Sequence, residues 1–185
     1  PVFGLVSRLT WQKGISLIMA KAKFLMKNGA SIIILGSGEK ELEQQSEWLR
    51  SQYSDNVGIY IGYSSELAHL IYAGSDFFLM PSLFEPCGIG QMIAQRYGTL
   101  PIVRYTGGLK DTINGYDGSN LEVANGIGFE HFDEDGMQYG LDLALRLYQD
   151  KEALLTIRRN AMKLDRTWKK SALEYIKLYQ SLLGV

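Results

Sequence analysis

The chain has 185 residues, of which 46% are hydrophobic and 21% charged, the balance of one globular domain. Its 19 basic and 20 acidic residues give a formal net charge of −1, so no broadly basic surface for nucleic acid is expected. A single cysteine excludes an internal disulfide and a cysteine-based zinc cage, and no apolar run approaches the roughly 18 residues that cross a bilayer.

Short apolar runs alternate with longer amphipathic stretches from the start of the chain. Five runs predict strands, at residues 2–6, 31–36, 57–62, 76–82 and 100–106. Five stretches between and after them predict helices, at residues 14–29, 38–53, 64–74, 87–98 and 107–113. This order is typical of the α/β class, with a doubly wound, Rossmann-like parallel sheet that carries helices on both faces.

The remainder of the chain predicts mainly helices. Residues 114–132 contain four glycines and show no clear period, so a loop is expected there. Three helices should follow, at about residues 134–149, 151–163 and 168–183. We expect Ser64 or Ser65 to cap the third helix, and Asp133 or Asp135 to cap the helix that begins near residue 134. No repeat or linker is evident, so residues 1–185 are expected to form one domain, cut from a longer chain.

Two cations follow the first predicted strand, in "SRLTWQKG". Ligands of doubly wound sheets bind at the carboxyl ends of the strands. Arg8 and Lys13 lie at such an end, and Gly14 opens the next helix, so together they could form a site for a diphosphate. The alternative is that both cations are ordinary solvent-exposed side chains.

The second and third strands end in a glycine-rich turn and a tyrosine. Gly36 and Gly38 in "LGSGE" would allow a backbone to approach a ligand closely, although the full G-x-G-x-x-G fingerprint is absent because Glu41 occupies its last position. A tight turn would explain the same glycines. Tyr63 could stack on a base, or it could be half-buried without a functional role.

The stretch after the fourth strand, "SLFEPCGIGQ" at residues 82–91, combines a carboxylate, a cysteine and two glycines. A helix is expected to start near Cys87 or Gly88, with the amides of its first turn open to a ligand. Glu85 is suited to accept hydrogen bonds from sugar hydroxyls, or to interact with the helix dipole. For Cys87 a small buried side chain is favoured over a nucleophile.

These strand ends together predict a pocket for a nucleotide diphosphate sugar. A third glycine-rich turn, "YTGGLKD" at residues 105–111, could also meet a phosphate or could be only a tight turn. The acidic stretch "HFDEDG" at residues 131–136 lacks the ligand spacing of an EF-hand loop, and the sequence has no histidine or carboxylate cluster with metal-ligand spacing. No metal or other cofactor is therefore expected, and Arg8, Lys13 and the helix dipoles would neutralise the diphosphate.

The chain resembles the C-terminal domain of bacterial glycogen synthases and plant starch synthases. The resemblance lies in "SRLTWQKG", "LGSGE", "IGY", "PSLFEPCGIGQ", "YGTLPIVRYTGGLKDTI" and "TWKKSALEYIKLY". It implies the C-terminal half of a two-domain, GT-B-type retaining glycosyltransferase. Such an enzyme transfers glucose from ADP-glucose to the non-reducing end of an α-1,4-glucan without a metal. A bacterial member would be cytoplasmic and a plant member plastidial.

The resemblance also implies roles for individual residues. Arg8 and Lys13 would bind the diphosphate and stabilise the departing ADP, while Glu85 would hydrogen-bond the transferred glucose. Tyr63 would stack on the adenine. The remaining donor contacts would come from three short segments: Gly36 and Gly38; Cys87, Gly88, Ile89 and Gly90; and Thr106, Gly107 and Gly108.

Two positions depart from the family pattern. Ile93 stands where many GT-B enzymes have a second glutamate, and Gly90 stands where a threonine is common, so that only the backbone amide remains there. The family's N-terminal domain, with most of the acceptor groove, is not in this sequence. The helix at residues 168–183 would pack on that domain, and its aromatic residues would be exposed here. The fragment alone is expected to be inactive; an isolated nucleotide-binding module and a related enzyme using UDP-glucose stay open as alternatives.

Overall fold

The structure is a computed structural model that describes residues 1–184. Six strands form its centre: β1 (Val2–Val6), β2 (Ser31–Gly36), β3 (Val57–Ile61), β4 (Phe77–Met80), β5 (Leu100–Arg104) and β6 (Ile127–Phe129). They form one sheet in the order β3-β2-β1-β4-β5-β6, and every pairing is parallel. The α/β, doubly wound fold class is therefore confirmed.

Helices connect the strands and follow the last one. They are α1 (Ile15–Lys27), α2 (Lys40–Gln52), α3 (Ser65–Gly74), α4 (Gly90–Tyr97), α5 (Gly107–Thr112), α6 (Glu134–Gln149), α7 (Lys151–Lys163) and α8 (Trp168–Leu183). A short 3-10 helix, Trp11–Lys13, precedes α1. Two predicted caps are confirmed, because the Ser64 side chain accepts a hydrogen bond from the Leu67 amide and the Asp133 side chain accepts one from the Gly136 amide.

The core lies on both faces of the central strands. Phe3 on β1 and Phe77 on β4 are fully buried, and their rings stack with centroids 5.2 Å apart. On the opposite face, Phe78 of β4 packs with Tyr72 of α3 and Ala94 of α4. Strands covered by helices on both faces have to be apolar throughout, which is why these runs stood out in the sequence.

Two boundary predictions were wrong. The stretch at residues 114–132 is not only a loop, since β6 lies within it and pairs with β5. Helix α4 begins at Gly90 rather than near Cys87 or Gly88. Gly88 has φ +70°, a left-handed conformation that interrupts a helix and suits glycine. Residues 87–89 are therefore a turn that leads into α4.

The strand order reverses between β1 and β4. The chain runs outward from β1 to β2 and β3, then returns to the other side of β1 with β4. Loops leaving the two adjacent strands consequently diverge and leave a crevice at their carboxyl ends, the usual ligand site of such sheets. The first loop carries Arg8 and Lys13, and the second carries residues 82–90.

Candidate functional site

A pocket of about 220 Å³ lies in this crevice. Six of the residues predicted from the sequence line it: Arg8, Lys13, Glu85, Gly88, Ile89 and Gly90. Tyr72 and Ser82 line it as well and were not anticipated, because a tyrosine in mid-helix and a serine at a strand end carry no distinctive pattern. The fold thus brings the cations, the carboxylate and the glycine turn together.

The two loops around the pocket are joined through their backbones. The Leu83 amide donates to the Gln12 carbonyl oxygen at 2.8 Å, and the Gln12 side chain donates to the Phe84 carbonyl oxygen at 2.9 Å. Gly14 has φ +71°, and a side chain there would overlap the Pro81 carbonyl oxygen. Glycine at position 14 therefore permits the close approach that seats one loop on the other.

Lys13 and Glu85 form an ion pair inside the pocket. The Lys13 Nζ atom lies 2.5 Å from Glu85 Oε2, and the side chains are only 17% and 12% exposed. Ser82 Oγ donates to the same carboxylate oxygen at 3.3 Å. The charge of Lys13 is thus balanced by Glu85 in this structure, and its predicted contact with a diphosphate stays a prediction.

Arg8 is the cation that remains available to an anion. Its side chain is exposed, and it takes part in none of the ion pairs found within residues 1–184. Arg8 also lines a second cavity, of about 270 Å³, on the far side of β1. A guanidinium at the junction of two cavities can offer paired donors to a phosphate that spans them.

Tyr63 and Gly36 line the second cavity. Tyr63 is 89% exposed, so the half-buried alternative is wrong and the ring face is open for stacking. Gly36 is also needed for packing, because a side chain there would overlap the Ser7 carbonyl oxygen. A side chain at Gly38 would overlap the Leu9 carbonyl oxygen in the same way. These glycines seat the loop that carries Arg8 against the end of β2, and their contact with a ligand stays a prediction.

Two side chains, from Gln91 and Arg104, hold residues 82–90 from behind. The Gln91 side-chain amide donates to the carbonyl oxygens of Cys87 and Gly88 at 3.2 and 3.1 Å, and to Thr112 Oγ1 at 3.1 Å. The Arg104 guanidinium donates to the carbonyl oxygens of Ser82 and Leu83. Neither role was predicted, because each depends on backbone groups that the fold, and not the local sequence, brings into reach.

The turn at residues 106–108 braces this segment. The Gly108 amide donates to the carbonyl oxygens of Glu85 and Pro86, both at 3.1 Å, and is therefore not free for a phosphate. A side chain at Gly107 would overlap the Glu85 carbonyl oxygen. Neither described cavity at the strand ends includes Thr106, Gly107 or Gly108, so their direct contact with a ligand stays a prediction.

The thiol of Cys87 is exposed, and the expectation of a small buried side chain was wrong. The physical reason is that Cys87 packs through its backbone. Its Cα and carbonyl group lie directly against Gly108, which leaves the side chain on the solvent side. Among the hydrogen bonds of residues 1–184 none involves this thiol.

The described residues, 1–184, contain neither a metal-binding cluster nor a helix that could cross a membrane. No group of three or more histidine, cysteine, aspartate or glutamate side chains there could hold a metal ion. No helix of the same residues has both the length and the apolar character that a membrane crossing requires.

Comparison with known proteins places this fold and pocket in a family. Residues 1–162 match the family described as glycosyl transferases group 1. The chain belongs to this family. Within it, the chain is 49% identical over 183 residues to the glycogen synthase of Bacillus cereus (strain Q1), a match that covers 99% of the chain and 38% of the relative. It is 45% identical over 184 residues to the glycogen synthase of Kosmotoga olearia, with 100% and 38% covered.

Solved structures of similar fold agree with this family assignment. The chain is similar to the catalytic domain of starch synthase IV from Arabidopsis thaliana bound to ADP and acarbose, with 36% identity and a TM-score of 0.90, covering 100% of this chain and 39% of that one. The resemblance to glycogen and starch synthases is confirmed. Sucrose-phosphate synthase from Thermosynechococcus elongatus, at 21% identity and a TM-score of 0.73, shares the fold. The chain spans less than two fifths of the length of the glycogen synthases it matches.

Proposed function

We propose that this chain is the donor-binding part of a glycogen or starch synthase, which transfers glucose from ADP-glucose to the non-reducing end of an α-1,4-glucan. The observation that carries the proposal is the pocket at the strand-order reversal, where Arg8, the Lys13–Glu85 pair and residues 88–90 converge. The similarity to glycogen synthases, and to a starch synthase described as bound to ADP and acarbose, supports the same donor and acceptor.

The two cavities suggest how the donor lies. Adenine would enter the cavity beside the exposed ring of Tyr63, and glucose would enter the pocket beside Glu85. The diphosphate connects the two, so it would cross Arg8, which lines both cavities. Lys13 would hold the Glu85 carboxylate in place to accept hydrogen bonds from glucose hydroxyls, since charge-assisted pairs fix geometry well.

The proposed reaction breaks the bond between glucose C1 and the phosphate oxygen. The electron pair of that bond stays on the departing ADP, and Arg8 stabilises the negative charge as it develops. The acceptor hydroxyl then attacks C1 from the same face and gives its proton to the departing phosphate. Attack from the face that the leaving group vacates retains the anomeric configuration.

We further propose that the chain by itself binds the donor but does not transfer glucose. It covers 38% of the glycogen synthases it matches, which leaves most of the enzyme to supply an acceptor groove. No described residue of α8 is buried, which suits a helix that packs on that missing part. Closure of the two parts around the donor would complete the site.

Calorimetry of the 185-residue chain with ADP and with UDP, and glucan-extension assays of the chain and of the full-length protein, test this proposal. We expect ADP to bind more tightly than UDP, and only the full-length protein to extend a glucan. Binding of neither nucleotide would contradict the donor site. A preference for UDP would overturn the proposal that ADP-glucose is the donor. Extension of a glucan by the chain alone would overturn the proposal that the chain binds the donor without transferring glucose.

A further inference from the structure

Tyr72, on α3, presents a polar atom to the pocket that the proposed reaction has not used. The residue lines the pocket although only 6% of its surface is exposed. Its ring is fixed between two aromatic neighbours, with the Phe78 centroid at 4.6 Å and the Tyr97 ring parallel at 6.5 Å. The hydroxyl of Tyr72 makes no side-chain hydrogen bond to any part of the chain that the structure describes.

Gly90 is what opens the pocket to this hydroxyl. A Cβ atom added at position 90 would lie 3.2 Å from the Tyr72 hydroxyl oxygen and 3.2 Å from the Phe78 ring. Any larger side chain would therefore cover the phenol. Because position 90 is glycine, the Tyr72 hydroxyl lies beside the first residue of α4, where backbone amides without helical partners favour an anion.

The protonation state of Tyr72 suits hydrogen-bond donation. Burial raises the pKa of its hydroxyl to about 12, because the protein interior disfavours the charged phenolate. The group therefore keeps its proton at neutral pH. The hydroxyl makes no hydrogen bond within the described chain, and a ligand oxygen in the pocket can accept one from it. A phosphate oxygen accepts this hydrogen bond more strongly than a neutral sugar oxygen does, because hydrogen bonds to charged groups are stronger than those between neutral groups.

We propose that the Tyr72 hydroxyl donates a hydrogen bond to the diphosphate of the bound nucleotide sugar, through the opening that Gly90 leaves. Tyr72 thus binds the nucleotide sugar and is not only a core residue. The residue at position 90 decides whether the Tyr72 hydroxyl can reach that ligand. This inference rests on the proposed nucleotide-sugar function. It adds a neutral hydrogen-bond donor to the charged Arg8 guanidinium, and both residues line the same pocket.

Tyr72→Phe tests the inference, because it keeps the ring and removes only the hydroxyl. Calorimetry with ADP is expected to show about tenfold weaker binding for the variant, whereas binding of adenosine, which has no phosphate, should be unchanged. Tyr97→Phe is the matched control: its hydroxyl belongs to the same aromatic stack but bonds to His69 Nδ1 at 2.9 Å, so ADP binding should stay at the unsubstituted level.

A second variant separates loss of the hydrogen bond from loss of structure. In a Gly90→Ala chain the added Cβ covers the Tyr72 hydroxyl, so Tyr72→Phe should cause no further loss of ADP affinity in that background. Equal ADP affinity of Tyr72→Phe and the unsubstituted chain would overturn the inference, as would an equal loss for ADP and adenosine, or a full further loss when Tyr72→Phe is added to Gly90→Ala. If the unsubstituted chain bound no ADP, the proposed function itself would fail instead.

Discussion

The Lys13–Glu85 pair sets the electrostatics of the pocket at the scale of single residues. With both side chains less than one fifth exposed, each charge is largely withdrawn from water and depends on the other for compensation. The pair adds no net charge, so Arg8 supplies the positive potential that an anionic donor meets. Under the proposed function, this neutrality would let Glu85 face the sugar without repelling the diphosphate.

Arg8→Ala in the full-length protein is predicted to lower kcat by about 10²–10³-fold, with a smaller effect on the dissociation constant of ADP. The reason is that Arg8 acts most strongly on the charge that develops as ADP departs. Steady-state kinetics and calorimetry measure the two quantities. Arg50→Ala is the control, since Arg50 is paired with Glu47 on the surface of α2. Near-normal turnover of Arg8→Ala would contradict the role of Arg8.

Substitution of either member of the pair should destabilise the chain. Glu85→Gln or Lys13→Met leaves one poorly exposed charge uncompensated, and we expect each to lower the free energy of unfolding by about 2 kcal/mol. The double variant should lose less than the sum, because no lone charge remains. Urea unfolding of the unsubstituted chain, the two single variants and the double variant gives the coupling energy between Lys13 and Glu85.

A surface ion pair serves as the control for this double-mutant cycle. Lys177 and Glu174 on α8 are 70% and 65% exposed, and exposed pairs contribute little. Their coupling energy should be no more than about 0.5 kcal/mol. If the Lys13–Glu85 cycle gave an equally small value, the two side chains would not be paired in solution.

The short helix α5 supports the pocket at the scale of elements. Its first residues lie on the backbone of residues 85–87, with Gly108 buried against Cys87. An added methyl group at 108 would stand 2.6 Å from the Cys87 Cα. A backbone atom cannot turn aside as a flexible side chain can, so α5 or the pocket segment would have to move.

Gly108→Ala is therefore predicted to lower the free energy of unfolding by about 2 kcal/mol and to weaken ADP binding. Gly74→Ala at the end of α3 is the matched control, because nothing lies within 4 Å of an added Cβ there, and its stability should be unchanged or slightly raised. Urea unfolding and calorimetry of both variants check this. Equal stability and equal ADP affinity would show that α5 does not brace the pocket.

Elements with strong local signals could be predicted from the sequence, and the others depend on tertiary contacts. The apolar run of β2 and the capped start of α6 at Asp133 carry their own pattern. By contrast, β6 is three residues long with Gly128 at its centre, and it is a strand only because β5 offers an edge to it. The exposure of Cys87 depends likewise on α5, and the ion pair joins residues 72 positions apart.

The whole molecule divides into a packed domain and a projecting helix. Buried apolar residues run from Phe3 to Ala161, whereas no described residue of α8 is buried. Trp168 is 87% exposed and Leu182 is 74% exposed. A row of exposed apolar side chains on one helix is unusual for a monomer and marks a surface that packs on another body. This agrees with the proposal that α8 belongs to the interface with the missing part of the enzyme.

Removal of residues 168–185 tests that arrangement. The shortened chain is predicted to keep its free energy of unfolding to within about 0.5 kcal/mol and to self-associate less, as urea unfolding and sedimentation would show. Ile157→Ala on α7 is the contrasting control, since Ile157 is fully buried and its truncation should cost about 3 kcal/mol. In the full-length protein the same deletion should lower the Tm, because the partner of α8 would lose its cover. A large loss in the short chain, or none in the full-length protein, would mean that α8 packs on this domain instead.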